Sequence, residues 1–475
     1  MSTAHGNLLP FKLRAERALK DNHLKTAIDR TTQTAESRRS AAVDGFPQFA
    51  EARIRGRKIK DHVIANLDHY LVEFERNAIA SGAIVHWART SQEACDIVTK
   101  ICTDANAKST TRSKSMLGEE IGLPHALSKA GITRVETDLA EHIVQLADEA
   151  PSHIIFPAMH KRREDVADLF NTKHTIKPKS ESVPDLVASA RRELRAKFLH
   201  ADVGISGANF LIADTGAVCT VTNEGNAELT TTPPRIHIVT AGIEKLVPSM
   251  DHAAVLLRLL VRSATGGDFT QYTTFHCGPK RPKDADGPTA FHIVLVDNGR
   301  TRMMREGLSE MLRCIRCGAC MNHCVVYRQI GGHAYGATYP GPMGSVLTPA
   351  FDGLEKSRDL PHACTLNGKC AEVCPVEIPL PTLLRGWRDR SWKEGLEPRT
   401  VRTGLGIWAQ IAARPKLYHL ATRVAVFWMR LFNRGGSIRS MPFAGGWTKT
   451  RDFPTPAKQT FMQAYRARQA AGETK

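Results

Sequence analysis

Long apolar runs are absent from this 475-residue chain, and so are several signatures that would assign it to a familiar class. The start, MSTAHGNLLPFKLRAERALK, has no apolar core of the length a secretory signal needs, so export is not expected. The most apolar late stretch, Leu417 to Phe432, is broken by His419, Arg423 and Arg430. It falls short of the roughly 20 apolar residues that span a bilayer, which excludes a transmembrane helix there. Aromatic residues make up 6% of the chain, and the spaced stacking rings of a single-strand binder are missing. The formal charge of +17 is scattered, with no run of five or six Lys or Arg, so nucleic acid is not an expected partner. No G-x-G-x-x-G fingerprint occurs, which argues against hydride chemistry on this chain alone. Low-complexity tracts and fixed-period repeats are also missing.

What is present suits a multidomain globular protein, since 475 residues at 42% hydrophobic content can bury two or three cores. Residues 1–60 read as Lys-, Arg-, Ala- and Glu-rich helices with a break at Asp44-Gly45-Phe46-Pro47. From 61 to 300 short apolar runs alternate with amphipathic helices. Ile64 to Ile79, Ser91 to Ala107 and Leu139 to Asp148 read as helices. Ala83 to Trp87, Val135 to Thr137, His153 to Pro157, Phe210 to Asp214, Ala217 to Thr222, Arg235 to Val239 and Phe291 to Val296 read as strands. A sheet with helical cover is the economical architecture for such a rhythm. A cysteine-rich segment occupies 301–385, and 386–475 forms a helical C-terminal segment holding five of the six tryptophans, which need a surface to bury against.

Seven of the eleven cysteines fall between Cys314 and Cys374. Such dense spacing in a chain of this size points to metal and a reducing compartment rather than to a disulfide framework, so a cytoplasmic location is expected. Cys314-Ile-Arg-Cys317-Gly-Ala-Cys320-Met-Asn-His-Cys324 is C-x2-C-x2-C-x3-C, the bacterial ferredoxin spacing. Three closely spaced thiolates can wrap one cube, while the fourth ligates a neighbouring cluster and a distant Cys-Pro completes the first. That Cys-Pro is Cys374-Pro375. The second set, Cys364-Thr-Leu-Asn367-Gly-Lys-Cys370-Ala-Glu-Val-Cys374, carries Asn367 where a cysteine belongs. The expected assignment is Cys314, Cys317, Cys320 and Cys374 for a 4Fe-4S cluster. Cys324, Cys364 and Cys370 then hold a second cluster, 4Fe-4S or 3Fe-4S, with an open corner near Asn367, because an amide is a poor ligand for soft iron-sulfur sites. Zinc is the competing reading, but its sites favour C-x2-C pairs set well apart. Two clusters side by side suit electron transfer, because stabilising a fold needs only one.

The stretches Gly204 to Asn226, Ala241 to Pro248 and Phe269 to Thr273, with Lys114-Ser115-Met116, Glu119-Glu120 and the cysteine block, resemble the lactate utilization protein B family. The resemblance covers roughly residues 40 to 470. It implies a LUD α/β domain, similar to the sugar-phosphate isomerase and CoA-transferase superfamily. A small α-helical two-cluster ferredoxin-like domain and a helical C-terminal segment follow. It further implies a part in oxidising L-lactate to pyruvate with two companions, one cysteine-rich protein and one smaller LUD protein, and delivery of electrons to an acceptor. Asn367 departs from a full eight-cysteine pattern. A reading from a different class makes the LUD domain a small-molecule binding or transferase module with structural or regulatory clusters.

Within the α/β region, Thr222-Asn223-Glu224-Gly225-Asn226 gathers a carboxylate, two amides and a hydroxyl on one turn, and could bind a hydroxy acid as readily as it could serve turn geometry. Glu224 is the preferred catalytic candidate. Lys114, Glu119 and Glu120 either join that pocket or form a solvated helix start. Cys219, on an apolar run, reads as a core thiol, and His323 as an exposed loop histidine rather than one that tunes a cluster. Leu417, Leu420, Ala421, Val424, Trp428 and Leu431 line one face of a basic amphipathic helix. Packing on its own chain is its expected role, a partner surface the next, and peripheral contact with the inner face of the membrane the third.

Overall fold

Residues Ala290–Val296 read AFHIVLV, and so continuous an apolar run suits a strand buried on both faces. The computed structural model, which describes residues 9–441, 445–448 and 451–472, places it inside a six-stranded sheet. The strands of the α/β region are β1 (Ile84–Ala88), β2 (Ser109–Arg112), β3 (Thr133–Glu136), β4 (Val203–Ser206), β5 (Phe210–Ile212), β6 (Ala217–Thr222), β7 (Ile236–Gly242), β8 (Leu246–Val247), β9 (Tyr272–His276) and β10 (Ala290–Val296). The main sheet has the order β1-β10-β7-β4-β2-β3 and is parallel throughout. A second sheet, β8-β5-β6-β9, is built on the antiparallel pair of β5 and β6 around the Thr215-Gly216 turn.

Alternation along the buried strands sorts their side chains to two cores. Phe291, Ile293 and Leu295 face Val63, Leu67 and Phe74 of the helices Phe49–Ala65 and Leu67–Ala80 together with Leu211, Val218 and Leu246 of the second sheet. Val294 and Val296 face Ala94, Val98 and Cys102 of the helix Ser91–Asp104 together with Leu117, Ile121 and Leu127. The sheet with helical cover expected from the sequence is therefore present, followed by the cysteine region and a helical C-terminus.

Three local expectations change. The helix expected over 64–79 is broken at Asn66, where one helix ends at Ala65 and the next begins at Leu67. Residues 153–157 are not a strand. His153 Nδ1 instead accepts the N–H groups of Ile155 and Phe156 at 3.0 Å, and Ser152 N–H donates to Pro157 O at 2.9 Å, so this backbone closes on itself rather than joining a ladder. The tail helix Pro415–Leu431 packs on the helix Arg399–Ala412 of its own chain, as expected, but buries less than its apolar face offers. No residue of the helices Arg399–Ala412 and Pro415–Leu431 is buried, and Leu420, Trp428 and Leu431 are exposed. Of the late tryptophans, Trp387 is buried and its indole N–H donates to Val346 O at 3.1 Å, whereas Trp408, Trp428 and Trp447 are exposed. No helix among the described residues is long and apolar enough to cross a membrane.

Residues 9–393 make one compact unit, and the residues from Glu394 make another. Within the first, arginines of the N-terminal helices hold backbone carbonyls of the cysteine region. Arg39 donates to Val373 O and Arg53 to Cys374 O, each at 3.0 Å, and Arg57 pairs with Glu377 at 2.8 Å. In the second unit Ser437–Ile438 pairs antiparallel with Phe453–Pro454, and the helix Phe461–Ala470 starts on a Thr460–Gln463 capping box.

Buried histidines give the fold a definite acid limit. Burial lowers His153 to about 3, and lowers His142 and His276 to about 4. Below the ordinary histidine value near 6.5, the unfolded chain takes up protons that the folded chain refuses. Their contribution is thus intact above about pH 6.5 and is lost as the pH falls toward 4, at roughly 1.4 kcal/mol per pH unit for each histidine. The expected result is a lower thermal midpoint at pH 5 than at pH 7 at constant iron content, and equal midpoints would refute the neutral burial of these rings.

Candidate iron-sulfur centre and adjoining cavity

Cysteine spacing alone does not bring four sulfurs together, and the backbone must curl to do it. Two residues in the first motif adopt the left-handed conformation, Arg316 (φ 62°) and Gly318 (φ 74°), followed by the short helix Ala319–Asn322. The second motif repeats this fifty positions later with Leu366 (φ 57°), Gly368 (φ 86°) and the helix Lys369–Glu372. Asn367 therefore stands at the backbone position of Cys317. Cys317 is buried, however, whereas Asn367 is exposed and its Oδ1 accepts the Lys369 N–H at 3.3 Å.

The mutual electrostatic influence of the thiols falls into two groups. Burial first, then Cys374 and Cys314, raise Cys317; burial, then Cys317, Cys314 and Cys374, raise Cys320. Cys370 is pushed up to about 12 by burial, then by Cys364 and Cys324. The two groups are linked electrostatically, since Cys370 also acts on Cys320. A small hollow is lined by Cys314, Cys317, Cys320 and Cys374 with Met343, Val376, Ile378 and Leu380. Four converging thiols in an apolar wall are costly to ionise without cations, and they fit a cubane cluster bound through thiolates. Backbone N–H groups already point at sulfur, from Tyr327 to Cys324 (3.4 Å), Leu366 to Cys364 (3.2 Å) and Ile378 to Cys374 (3.4 Å).

His323 is not the exposed loop residue expected. Its side chain is 10% exposed, its Nδ1 lies 2.9 Å from Ala319 O and its Nε2 3.9 Å from Glu36. Cys219 is fully buried and pushed up to about 12 by that burial, as befits a core thiol.

Beside the first cysteine group lies a cavity of about 510 Å³. Its outer part contains the turn after β6. Glu224 is exposed there and its Oε2 accepts the Leu139 N–H at 3.3 Å; partial burial, then Asp138, raise its carboxyl. The amides of the turn are engaged in structure, Asn223 accepting from Gln271 N–H at 3.1 Å and Asn226 donating to Thr137 at 3.5 Å. Lys114 lines the cavity and donates to Ile155 O at 2.6 Å, 3.9 Å from Asp138. Glu119 and Glu120 stay out of this cavity, and neither is a freely solvated helix start, Glu119 being half-buried and Glu120 buried. Glu119 pairs with the buried Arg112 at 2.6 Å, and Glu120 is buried against Arg300 at 2.8 Å.

The inner part of the cavity holds residues the sequence did not single out: Gly242, Glu244, Lys245, Arg300, Arg316 and Tyr339. Arg316 lies between two cluster cysteines, so one side of its backbone shapes the cluster site while its side chain lines the cavity. Its guanidinium is 4.6 Å from the Tyr339 ring centre and 3.6 Å from Glu244. Arg300 in turn holds Glu244 at 2.5 Å. A Cβ at Gly242 would lie 2.1 Å from Glu244 Oε2 and 2.7 Å from Arg300 Nε, so this close approach requires glycine. The one sequence clue to this end was Arg316 inside the C-x2-C spacing.

Comparison with known proteins agrees with this architecture. Residues 71–296 match the LUD domain family, 310–378 the 4Fe-4S dicluster domain and 393–470 the C-terminal domain of lactate utilisation protein B. The chain is 40% identical over 465 residues to lactate utilization protein B of Shouchella clausii, covering 98% of both chains. It is 40% identical over 469 residues to the Bacillus licheniformis protein of that name, again over 98% of both. An uncharacterized electron transport protein of Escherichia coli, YkgF, is 37% identical over 464 residues and 97% of both chains. With its α/β domain, its dicluster segment and its C-terminal segment all matched in order, this chain belongs to the lactate utilization protein B family.

Proposed function

We propose that the chain is the iron-sulfur electron-transfer subunit of a complex that oxidises L-lactate to pyruvate. It would act with a cysteine-rich companion and a smaller LUD companion and pass electrons to a downstream acceptor. The observation that carries this reading is the pair of interleaved cysteine groups, Cys314, Cys317, Cys320 and Cys374 beside Cys324, Cys364 and Cys370. The names of the relatives, lactate utilization and electron transport, support it.

A bound cluster at each group would supply a one-electron store. Converting a 2-hydroxy acid to the 2-oxo acid releases two electrons and two protons, so two such stores suit the stoichiometry. The chain's own residues would set how readily each store fills. Cysteines hold the clusters, N–H groups aim at the sulfurs, and the positive charge of Arg39 acts on Cys317 and Cys374. The N–H groups and the arginine favour the reduced state, whereas the thiolates themselves favour the oxidised one. A cytoplasmic location belongs to the same reading, and contact with the inner face of the membrane would be made by the exposed apolar residues of 415–431.

The first group is assigned a 4Fe-4S cluster and the second a 4Fe-4S or 3Fe-4S cluster. Anaerobic iron and sulfide analysis with electron paramagnetic resonance, before and after dithionite, tests this. The expected yield is about seven or eight irons, and Asn367→Cys is expected to bring it to about eight and to remove any oxidised 3Fe-4S signal. Zinc in place of iron would overturn the electron-transfer reading.

A further inference from the structure

The charges at the inner end of the cavity do not cancel. Arg300 is satisfied by Glu120, whose two oxygens take its Nη1 and Nη2 at 2.8 and 2.9 Å, and by Glu244 at 2.5 Å. That leaves Glu244, already engaged by Arg300, to face both Arg316 and Lys245. Arg316 Nη1 is buried without a hydrogen-bond partner, although a guanidinium offers five donors and a buried one normally uses them. Lys245 lines the same cavity from the turn that follows β7. Among the described residues neither cation has a carboxylate of its own, and both border the open space that adjoins the first cysteine group.

We propose that Arg316 and Lys245 form a carboxylate-binding site, which holds the carboxylate of a small 2-hydroxy or 2-oxo acid at the cluster-facing end of the cavity. The planar guanidinium suits a carboxylate and the ammonium adds a point charge. Burial first, then Arg316, lower Lys245 to about 8, a strain that an incoming anion relieves. The opposite, outer end displays two carboxylates, Glu224 and Asp138, against one lysine, Lys114, 3.9 Å from Asp138, and this net negative charge disfavours a second negative group. The site therefore favours a ligand that is anionic at one end only. The choice of acid rests on the lactate reading above, whereas the anion site does not.

A competing account assigns both cations to the cluster alone, as counter-charge for its thiolates, since Cys314 acts on each of them. Calorimetric titration of the full-length, cluster-loaded chain with L-lactate, pyruvate, oxalate and phosphate separates the two accounts. Loss of one charged hydrogen bond is expected to weaken carboxylate binding roughly ten- to hundred-fold in Lys245→Gln and in Arg316→Gln, with partial recovery in Arg316→Lys. Iron content and circular dichroism report whether each variant is folded and loaded. Lys245→Gln alters no residue of the cysteine motif, so it carries the test if Arg316→Gln loses iron. Binding of lactate and pyruvate with this dependence supports the site and the lactate reading together. Oxalate binding with the same dependence, and no lactate or pyruvate binding, keeps the carboxylate site and removes lactate. The proposal is overturned if no carboxylate binds, if phosphate alone binds, or if the variants shift the cluster midpoint potential and leave carboxylate affinity unchanged.

Discussion

Cys317→Ser is expected to remove about four irons from the purified chain and to bring lactate-dependent dye reduction by the reconstituted complex down to background. The size of the effect follows from where the sulfur sits. Cys317 is 8% exposed, and its thiol is perturbed by Cys374 and Cys314 from across the same hollow. A serine hydroxyl ionises far less readily and is a hard donor at a soft site, and the enclosing wall of Met343, Val376, Ile378 and Leu380 offers no thiolate in its place. Cys277→Ser is the matched control, because Cys277 is exposed and distant from both groups in sequence, and it is expected to retain all its iron. The same analysis on Cys364→Ser is expected to spare the first cluster's signal, since Cys364 acts on Cys370 and Cys324 rather than on Cys317. Full iron retention in Cys317→Ser would mean that the grouping of ligands argued above is wrong.

The contrast between the two ends of the site explains what a sequence can convey. Cluster ligands are local: three cysteines at fixed short spacing, with the permissive Gly318 among them, announce their chemistry without any knowledge of the fold, and the defect at Asn367 is visible in the same way. The cation pair is not local. Lys245 and Arg316 are separated by 71 positions and meet only because the chain after β7 borders the same cavity as the first cysteine motif. The pattern of short apolar runs made β1, β6, β7 and β10 legible. It missed β2, whose sequence is STTR, because that strand buries polar atoms and an Arg112 side chain balanced by Glu119 and Glu136 at 2.6 and 3.2 Å. It misled at 153–157, where apolar residues serve a self-closed loop whose His153 caps two backbone N–H groups. Glu120 looks like part of a solvated helix start because its partner, Arg300, lies 180 positions away in sequence.

Arg300→Met is expected to lower the unfolding free energy by about 3–5 kcal/mol, the range for breaking a buried ion pair by removing one partner. Arg300 is 2% exposed and stands at the N-terminus of a helix that leads out of the last strand of the α/β region. It meets Glu120, Glu244 and the Asp297 carbonyl, and its guanidinium lies 5.4 Å from the Phe351 ring centre. Methionine preserves much of the volume and none of the charge, leaving two carboxylates at 4% and 3% exposure to be desolvated without their cation. Glu120 would keep only the Asn298 amide (2.8 Å) and the Tyr339 hydroxyl (2.7 Å), which are neutral donors. Glu244 would keep Arg316 at 3.6 Å and would be free to tighten on it. The substitution thus carries a second, functional consequence, because a Glu244 drawn to Arg316 competes with any carboxylate ligand there. Urea unfolding under anaerobic conditions measures the first effect, and carboxylate titration of the surviving folded protein measures the second. A loss below about 1 kcal/mol, the size of an exposed ion pair, would show that Arg300 is not the buried hub of this network.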